Sequence, residues 1–368
     1  MLKKLLVLPV FFAISPKLMA EETLPYTWVH ALTVESLSNL HGGLETGTRN
    51  LANLDLTLSV NTHAAGWWDN GTLFVYVLGN YGKPPSELTG ELQTLSNIEA
   101  DNNLKIYEFW YQHNFADGAV KLLVGLHDYN STFYSLDAAG VFSLSSFGVG
   151  PDIAQVTPSI FPTTATAVHL TLTHNDQYFL LAAYDGIPGD PAHPHGTHIK
   201  FGHDDGLLVA TEWGFAHEQD YKIGLGGWRH TASVENPVDG SLMDSNSGYY
   251  VIGEKYFDEH WSAFFQYGHT DGRKNQLGTY TGVGVTYKNL LVEEDEIGLG
   301  YARAENSTEF LAANPDLLSA ETVTEFTYYH PVSTKVSVQA SLYSVAHPSM
   351  APELNNSVAL GLRLYIEL

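Results

Sequence analysis

Hydrophobic and polar residues alternate one by one along most of the chain after the first twenty residues. The pattern is clearest at the C-terminus, where Val358, Leu360, Leu362, Leu364 and Ile366 fall on one face and the intervening polar or small residues on the other. A period of two places successive side chains on opposite faces of a β-strand. Helical spacing of apolar residues is almost absent, so the chain is predicted to be all-β.

Sixteen segments show this alternation or a length and composition that fit it. We place the predicted strands at 28–40, 51–62, 71–80, 104–115, 119–130, 165–174, 177–186, 206–217, 221–232, 248–257, 261–270, 279–288, 294–304, 322–330, 335–346 and 357–368. Most are close to the roughly 9–11 residues that a tilted strand needs to cross a bilayer. Alternation is poorest in 28–40 and 248–257.

The connections between these strands are alternately short and long. The short ones are 116–118, 175–176, 218–220, 258–260 and 331–334, and the long ones are 81–103, 131–164, 187–205, 233–247 and 305–321. This alternation is typical of an antiparallel up-and-down membrane barrel with turns at one end and loops at the other. The strands of a soluble sandwich also alternate apolar and polar residues, but a sandwich gives no reason for connections that are alternately short and long. We therefore predict a transmembrane β-barrel of about sixteen strands over residues 21–368.

The connection 131–164 is too long for a passive loop in a compact domain. We expect it to fold into the barrel and narrow the pore, which makes it a candidate constriction loop.

The N-terminus has the order of a secretory signal peptide. Lys3 and Lys4 precede an apolar run from Leu5 to Ile14, and small Ala20 precedes an acidic pair. The apolar run is too short to span a membrane as a helix. We predict a signal peptide at 1–20 and export to the outer membrane of a Gram-negative bacterium; an amphipathic helix of the mature protein is the alternative.

Composition and motifs exclude several function classes. The chain has 17 Lys and Arg against 41 Asp and Glu, a formal charge of −24, which argues against a nucleic-acid partner because phosphate binding needs clustered basic residues. It has no Cys, so disulfides and thiolate sites are excluded. Nucleophile elbows, phosphate loops and dinucleotide fingerprints are absent from the sequence. We predict neither an enzyme nor a cofactor.

Four histidines lie close together in one predicted long loop, at His193, His195, His198 and His203. Imidazoles with nearby carboxylates can bind zinc, copper or nickel. However, intervening Pro and Gly make the backbone irregular, and nothing directs four ligands to one centre. We interpret this segment as a polar, solvated loop and predict no metal site.

Large aromatic residues cluster near predicted strand ends that share one side of the barrel. They are Trp28, Trp67, Trp68, Tyr256, Phe257 and Trp261. Aromatic side chains at this level usually form a girdle at the membrane–water interface. The alternative is an aromatic path that guides sugar.

Several short segments between Gly90 and Pro162 carry a family resemblance. They are the run from Gly90 to Ala100, the run Tyr107-Glu108-Phe109-Trp110-Tyr111-Gln112, then Gly125, Asp128, Asn130 and Phe133, then Ser145-Ser146-Phe147-Gly148 with Pro151, and Phe161-Pro162. In order and spacing they resemble the carbohydrate-selective porin family of Gram-negative outer membranes, the OprB type. The resemblance implies a sixteen-stranded barrel that passes sugars by diffusion, without cofactor or energy coupling. Leu368 in place of a terminal aromatic, and Phe109 and His113 in the second segment, depart from the family pattern.

A sugar-selective lumen needs aromatic faces for stacking and polar groups for paired hydrogen bonds, with binding weak enough to allow release. By alternation, the lumen-facing residues include Asp55, Glu108, Trp110, Gln112, Lys121, Glu212, Lys335, Gln339 and Arg363. Trp110 flanked by Glu108 and Gln112 is the candidate sugar platform, with Tyr107 and Phe109 on the opposite face. Asn97 and Glu99, beside a predicted mouth, could bind sugar or pin a loop to the wall. The simpler alternative is that these residues only make the wall of the lumen hydrophilic, without binding sugar.

We therefore predict an outer-membrane porin for passive, partly selective diffusion of mono- or small oligosaccharides. The alternatives are a general cation-preferring porin, a secreted soluble glycan-binding β-sandwich and, last, an outer-membrane enzyme. The expected partners are sugars in transit, outer-membrane lipid and the outer-membrane insertion machinery. The sequence leaves open whether the barrel is a monomer or a homo-oligomer.

Overall fold

A computed structural model describes residues 24–368, so the predicted signal peptide lies outside the described residues. The strands are β1 (Tyr26–Gly43), β2 (Gly47–Asn61), β3 (Gly71–Gly82), β4 (Asn103–Phe115), β5 (Val120–His127), β6 (Ala165–His174), β7 (Gln177–Asp185), β8 (Leu207–His217), β9 (Tyr221–His230), β10 (Val234–Glu235), β11 (Leu242–Met243), β12 (Asn246–Tyr256), β13 (Trp261–Thr270), β14 (Leu277–Lys288), β15 (Glu296–Asn306), β16 (Ala320–Pro331), β17 (Val336–Ala346) and β18 (Asn355–Glu367). The helices are α1 (Ser86–Thr89), α2 (Ser145–Gly148), α3 (Pro151–Ala154) and α4 (Thr308–Ala313).

Sixteen of these strands form one closed antiparallel barrel, and β10 and β11 form a separate two-stranded hairpin. Each barrel strand pairs with its neighbours in the chain, and β1 pairs with β18 to close the ring. The predicted barrel is confirmed, and all sixteen predicted segments are strands, including the weakly patterned ones that became β1 and β12. A closed ring leaves no strand edge unpaired, as a barrel in hydrocarbon requires.

The two ends of the barrel differ. The end that carries both termini, here called the terminal end, has mostly short turns, such as 175–176 and 218–220. The opposite end, here called the loop end, carries the longer connections, including 83–102 and 128–164. One connection at the loop end is short, because only residues 44–46 separate β1 from β2.

The outer surface is apolar. Val168, Leu225, Leu299 and Leu362 sit in mid-strand with about half of their surface exposed, at 50%, 54%, 50% and 54%. A continuous band of exposed apolar side chains is unfavourable in water, and it is the lipid-facing surface of a membrane barrel. Within residues 24–368, no helix is both long and apolar enough to cross a bilayer.

Aromatic side chains ring the terminal end. Trp28, Trp67, Trp68, Phe257 and Trp261 are exposed there, and their amphipathic rings suit the interface between lipid and water. Tyr256, which was expected to join them, does not. It pairs with inward-facing Ser262 and packs against the interior cluster of the barrel, so it lies on the inner face.

The connection 128–164 lies inside the barrel. Tyr129, Phe133, Phe142 and Phe147 on this segment are essentially fully buried and form one cluster with inward side chains of the wall. The wall provides room for them with glycine: a Cβ on Gly300 would lie 2.6 Å from the Phe147 ring. The segment is here called the inner loop.

Candidate functional site

The inner loop is held against the wall by carboxylates that accept hydrogen bonds from its backbone. Glu325 on β16 accepts from the amide N–H of Ser143 at 3.0 Å and of Leu144 at 2.9 Å. The Ser143 hydroxyl donates to the same carboxylate at 2.8 Å. Hydrogen bonds to a charged acceptor are among the stronger ones in proteins. Glu325 therefore fixes the middle of the loop.

Two further glutamates fix the first half of the inner loop. Glu254 on β12 accepts from the amide of Ala138 at 2.7 Å. Glu212 on β8 accepts from the amide of Tyr134 at 3.0 Å and from the hydroxyls of Tyr178 and Tyr250 at 2.7 and 2.6 Å. Glu212 lies on the inner face, as the alternation predicts, but it is fully buried. Its carboxylate positions the loop and is not open to the lumen.

The connection 83–102, here called the second loop, also folds over the inside of the barrel. Glu321 on β16 accepts from the amides of Leu92 and Gln93 at 2.8 and 3.0 Å. The Ser96 hydroxyl donates to Glu35 on β1. Glu35 in turn pairs with Arg363 at 3.1 Å. Arg363 thus faces inward, as predicted, in a buried ion pair across the seam between β1 and β18.

A cavity of about 240 Å³ separates the two loops. Its polar lining comes from both loops and includes Gln93, Asn97, Glu99, Asp128, Asn130 and Ser146. Its apolar lining comes mainly from the inner loop and includes Leu136, Phe142 and Phe147. Three buried polar atoms of these residues have no hydrogen-bond partner, namely Gln93 Oε1, Asn97 Oδ1 and Ser146 Oγ. Such atoms are costly unless water or a ligand satisfies them.

Glu99 both lines the cavity and pins the second loop. Its carboxylate accepts from the amide of Ser86 at 3.2 Å and from the Ser86 hydroxyl. Burial, reinforced by the nearby carboxylates of Glu91 and Glu35, raises the pKa of Glu99 to about 7, although the bonds from Ser86 oppose this. The structure therefore shows the loop-pinning role considered for Glu99 from the sequence, and sugar binding by Glu99 stays a prediction.

Trp110 forms an aromatic surface on the inner face of β4. Its ring stacks on Phe74 with centroids 4.9 Å apart and 24° between the planes. The indole Nε1 donates to Glu108 at 3.0 Å, and the amide of Asp128 donates to the same carboxylate at 3.2 Å. Gln112 donates to Asn114 at 2.9 Å. Trp110 and Gln112 are half-buried and reachable from the lumen, whereas Glu108 is buried behind them.

One face assignment on β4 is wrong. Tyr107, expected on the outer face, is fully buried, because the register between β3 and β4 shifts between Tyr76 and Val77. The shift is a β-bulge, which inserts one extra residue and reverses the alternation locally. The Tyr107 hydroxyl consequently donates to Asp128 at 2.8 Å at the root of the inner loop.

The remaining predicted lumen residues fall into three situations. Asp55 lies on the inner face and accepts from the hydroxyl of Tyr76 at 2.5 Å. Lys121 lies on the inner face and is half-buried. Gln339 is buried and donates to the carbonyl of Val141 on the inner loop at 2.6 Å. Lys335 is corrected: it lies in the turn before β17, exposed at the terminal end, because that strand begins one residue later than predicted.

Asp128 and Asn130 line the cavity but were not selected as sugar-contacting residues from the sequence. Asp128 Oδ1 accepts from the amide of Asn130 at 2.8 Å. Burial raises the pKa of Asp128 to about 7, against the effect of its bond from Tyr107. Their only sequence signal was their presence in the segments that carry the family resemblance.

The histidine-rich loop is exposed. His193 pairs with Asp190 at 3.0 Å, and its ring stacks on His198 with centroids 4.7 Å apart. In the part of the chain that the structure describes, no three His, Asp or Glu side chains are arranged to hold a metal ion.

The family model for carbohydrate-selective porins, the OprB family, matches residues 45–368. The chain belongs to this family. The high-pH structure of OprB from Pseudomonas putida superimposes with a TM-score of 0.83 at 17% identity, covering 94% of each chain. The channel DcaP of Acinetobacter baumannii gives a TM-score of 0.61 at 8% identity, covering 93% of this chain and 97% of that one. A search of curated proteins found no significant match.

Family and fold together make this protein an outer-membrane carbohydrate porin. They point to a channel rather than an enzyme, and they do not favour the secreted sandwich or the general porin. OmpT of Vibrio cholerae, another outer-membrane protein, shares the barrel with a TM-score of 0.57 at 13% identity, covering 93% of this chain and 97% of that one.

Proposed function

We propose that this porin passes neutral mono- or small oligosaccharides by passive diffusion, through the cavity between the two loops and then past Trp110. The observation that carries this proposal is the inward strip of Trp110, Glu108 and Gln112 beside the root of the inner loop. It offers an aromatic face next to the amide group of Gln112, with the buried Glu108 carboxylate holding the indole in place.

The chemistry of this strip fits a sugar. A pyranose ring presents C–H bonds on its faces and hydroxyls around its edge, so it stacks on an aromatic ring while its hydroxyls bond to polar neighbours. Trp110 is held by Phe74 and Glu108, so its face is presented in one orientation at little entropic cost. The unpartnered oxygens of the cavity are further acceptors for hydroxyl groups on the same route.

Several anchors of the inner loop lie on one side of the barrel wall. These anchors, including Glu212, Glu254, Glu325 and Gln339, come from strands β8 to β17. Trp110 and Asp55 are on the opposite part of the wall, on β4 and β2. We infer that sugar moves between the inner loop and strands β2 to β6.

Current block in planar bilayers tests the proposal. Trp110→Ala is expected to weaken block of the single-channel current by a permeating sugar about two- to tenfold, because aromatic contacts contribute about 0.5–1.5 kcal/mol. Trp213→Ala is the matched control, since Trp213 points outward and is 48% exposed. Unchanged block in Trp110→Ala would contradict the role of Trp110 as the surface on which the sugar stacks. Wild-type current that no sugar alters, combined with strong cation preference, would favour a general porin.

Export and assembly are part of the same proposal. We expect residues 1–20 to be cleaved, the insertion machinery to assemble the barrel, and lipid to cover the apolar band. N-terminal sequencing of protein from outer membranes tests the cleavage, and mass measurement in detergent distinguishes a monomer from a homo-oligomer.

A further inference from the structure

The cavity between the two loops has a one-sided charge. Glu99 and Asp128 line it, and among residues 24–368 no Lys, Arg or His contributes to its lining. Lys105, a basic group on the nearby inner wall, is engaged elsewhere: its Nζ donates to Thr163 at 3.0 Å and to the carbonyl of Pro194 at 3.1 Å. A ligand in the cavity therefore meets carboxylates without a cation to balance them.

The unsatisfied polar atoms of the cavity are independent evidence, and they are mainly acceptors. Gln93 is only 2% exposed, and its Nε2 donates to the carbonyl of Glu321 at 3.3 Å. That bond leaves Gln93 Oε1 as an acceptor without a partner. Asn97 Oδ1 is a second one, and the Ser146 hydroxyl is the third unpartnered group. The site thus needs a ligand that brings hydrogen-bond donors.

A protonated amino group meets both requirements. An ammonium carries three N–H donors, no acceptor and a positive charge, and its bonds to carboxylates are charge-assisted. A sugar hydroxyl brings one donor without charge. A sugar carboxylate brings only acceptors and a charge of the wrong sign, which is costly at partly buried sites where charges interact strongly.

The size of the cavity limits the ligand to about one ring. Its volume of about 240 Å³ is below the roughly 300–1,000 Å³ of pockets that enclose drug-sized ligands. Leu136, Phe142 and Phe147 supply apolar surface against which a ring face can lie.

We propose that this cavity is a selectivity site for protonated amino sugars, which it binds more tightly than neutral hexoses, and that it binds sugar acids least. The inference rests on the proposed sugar pathway and adds the charge class of the preferred substrate. Glu99 is the residue that distinguishes charged from neutral sugars, because it lines the cavity and its side chain is only partly buried.

The test compares four single-ring ligands on the wild-type channel: glucosamine, glucose, N-acetylglucosamine and glucuronate, each by block of the single-channel current at neutral pH. Glucosamine is expected to bind about tenfold more tightly than glucose, and glucuronate most weakly. N-acetylglucosamine carries the same nitrogen without its charge and is expected to behave like glucose.

A variant pair assigns the effect to the cavity. Glu99→Gln is expected to lower the glucosamine-to-glucose affinity ratio at least fivefold. Glu309→Gln removes the same charge from an exposed position on α4 and is expected to leave the ratio unchanged.

The outcomes separate this inference from the function on which it rests. If glucose blocks the current but glucosamine binds no more tightly, the amino-sugar preference is refuted and the sugar pathway stands. If glucosamine is preferred but Glu99→Gln leaves the ratio unchanged, the assignment to this cavity is refuted. If none of the four ligands blocks or permeates, both proposals are refuted.

Discussion

Glu325→Gln tests whether carboxylate anchors on the wall set the width of the pore. Glu325 is fully buried, and its two oxygens share three hydrogen bonds from the inner loop. Oε1 accepts from the amide and hydroxyl of Ser143, and Oε2 accepts from the amide of Leu144. Glutamine has the same shape but replaces one acceptor oxygen with an NH₂ donor.

The cost follows from this geometry. If the amide oxygen of the glutamine takes the position of Oε1, the bond from Leu144 is lost, and its N–H then faces another donor. A bond to a charged group contributes about 1.5–3 kcal/mol, and an unsatisfied buried N–H costs about 1–3 kcal/mol. The loop should lose roughly 3–5 kcal/mol of anchoring, which is a factor of about 100 to 1,000 or more in its docking equilibrium. Glu212, Glu254 and Gln339 still hold the rest of the loop.

Single-channel recording is the assay. We expect Glu325→Gln to show larger, fluctuating conductance and weaker sugar block, while the barrel still resists SDS until heated. Glu305→Gln is the control, because Glu305 lies on the outer face of β15 and pairs with Arg303 at 2.6 Å. Conductance and block equal to wild type in Glu325→Gln would refute the anchoring argument.

A cross-link can restore what the substitution removes. The hydroxyls of Ser143 and Ser341 are 3.2 Å apart, and the chain has no cysteine that could mispair. Ser143→Cys with Ser341→Cys, added to Glu325→Gln, is expected to recover normal conductance when oxidised and lose it again when reduced. A wide pore in the oxidised form would show that the loop is not what sets the conductance.

Three other predictions follow from the same structure. Gly300→Ala places a Cβ 2.6 Å from the Phe147 ring, so it should displace the inner loop and raise conductance; an unchanged pore would show that the loop adapts. Leu225→Arg puts a charge on the lipid face and should destabilise the barrel by about 2–4 kcal/mol in urea unfolding from lipid, whereas an unaltered midpoint would contradict that orientation. The glucosamine affinity of the wild type relative to that of Glu99→Gln should fall as pH drops from 8 to 6, because burial raises the pKa of Glu99 to about 7 and its carboxyl becomes neutral below that pH, whereas protonation of the ligand's own amine affects both channels alike; a ratio that is constant across this range would exclude Glu99 as the charged contact.

The strands could be predicted from the sequence because a membrane barrel imposes one rule on all of them, with lipid on one face and water or packed loop on the other. The rule fails where the backbone adds a residue. The bulge opposite Tyr76 turns Tyr107 inward, and no local sequence feature shows it. The alternation rule also ends where a strand ends, and Lys335 lies in the turn just before β17.

The site was predictable only in part. Alternation places Glu212 and Trp110 on the inner face, but it does not show that Tyr134, Tyr178 and Tyr250 already surround Glu212. Glu325 was not selected, because its role depends on contact with Ser143, which is 182 residues away in the chain. Such contacts between a loop and the wall are set by the tertiary fold.

The pairing of β1 with β18 has a consequence for biogenesis. The residues that seal the ring, such as Glu35 and Arg363, come from opposite ends of the polypeptide. A fragment that lacks the last strand would expose two rows of unpaired backbone groups to hydrocarbon, each costing several kcal/mol. A chain truncated before β18 is therefore expected not to form a stable barrel in the bilayer.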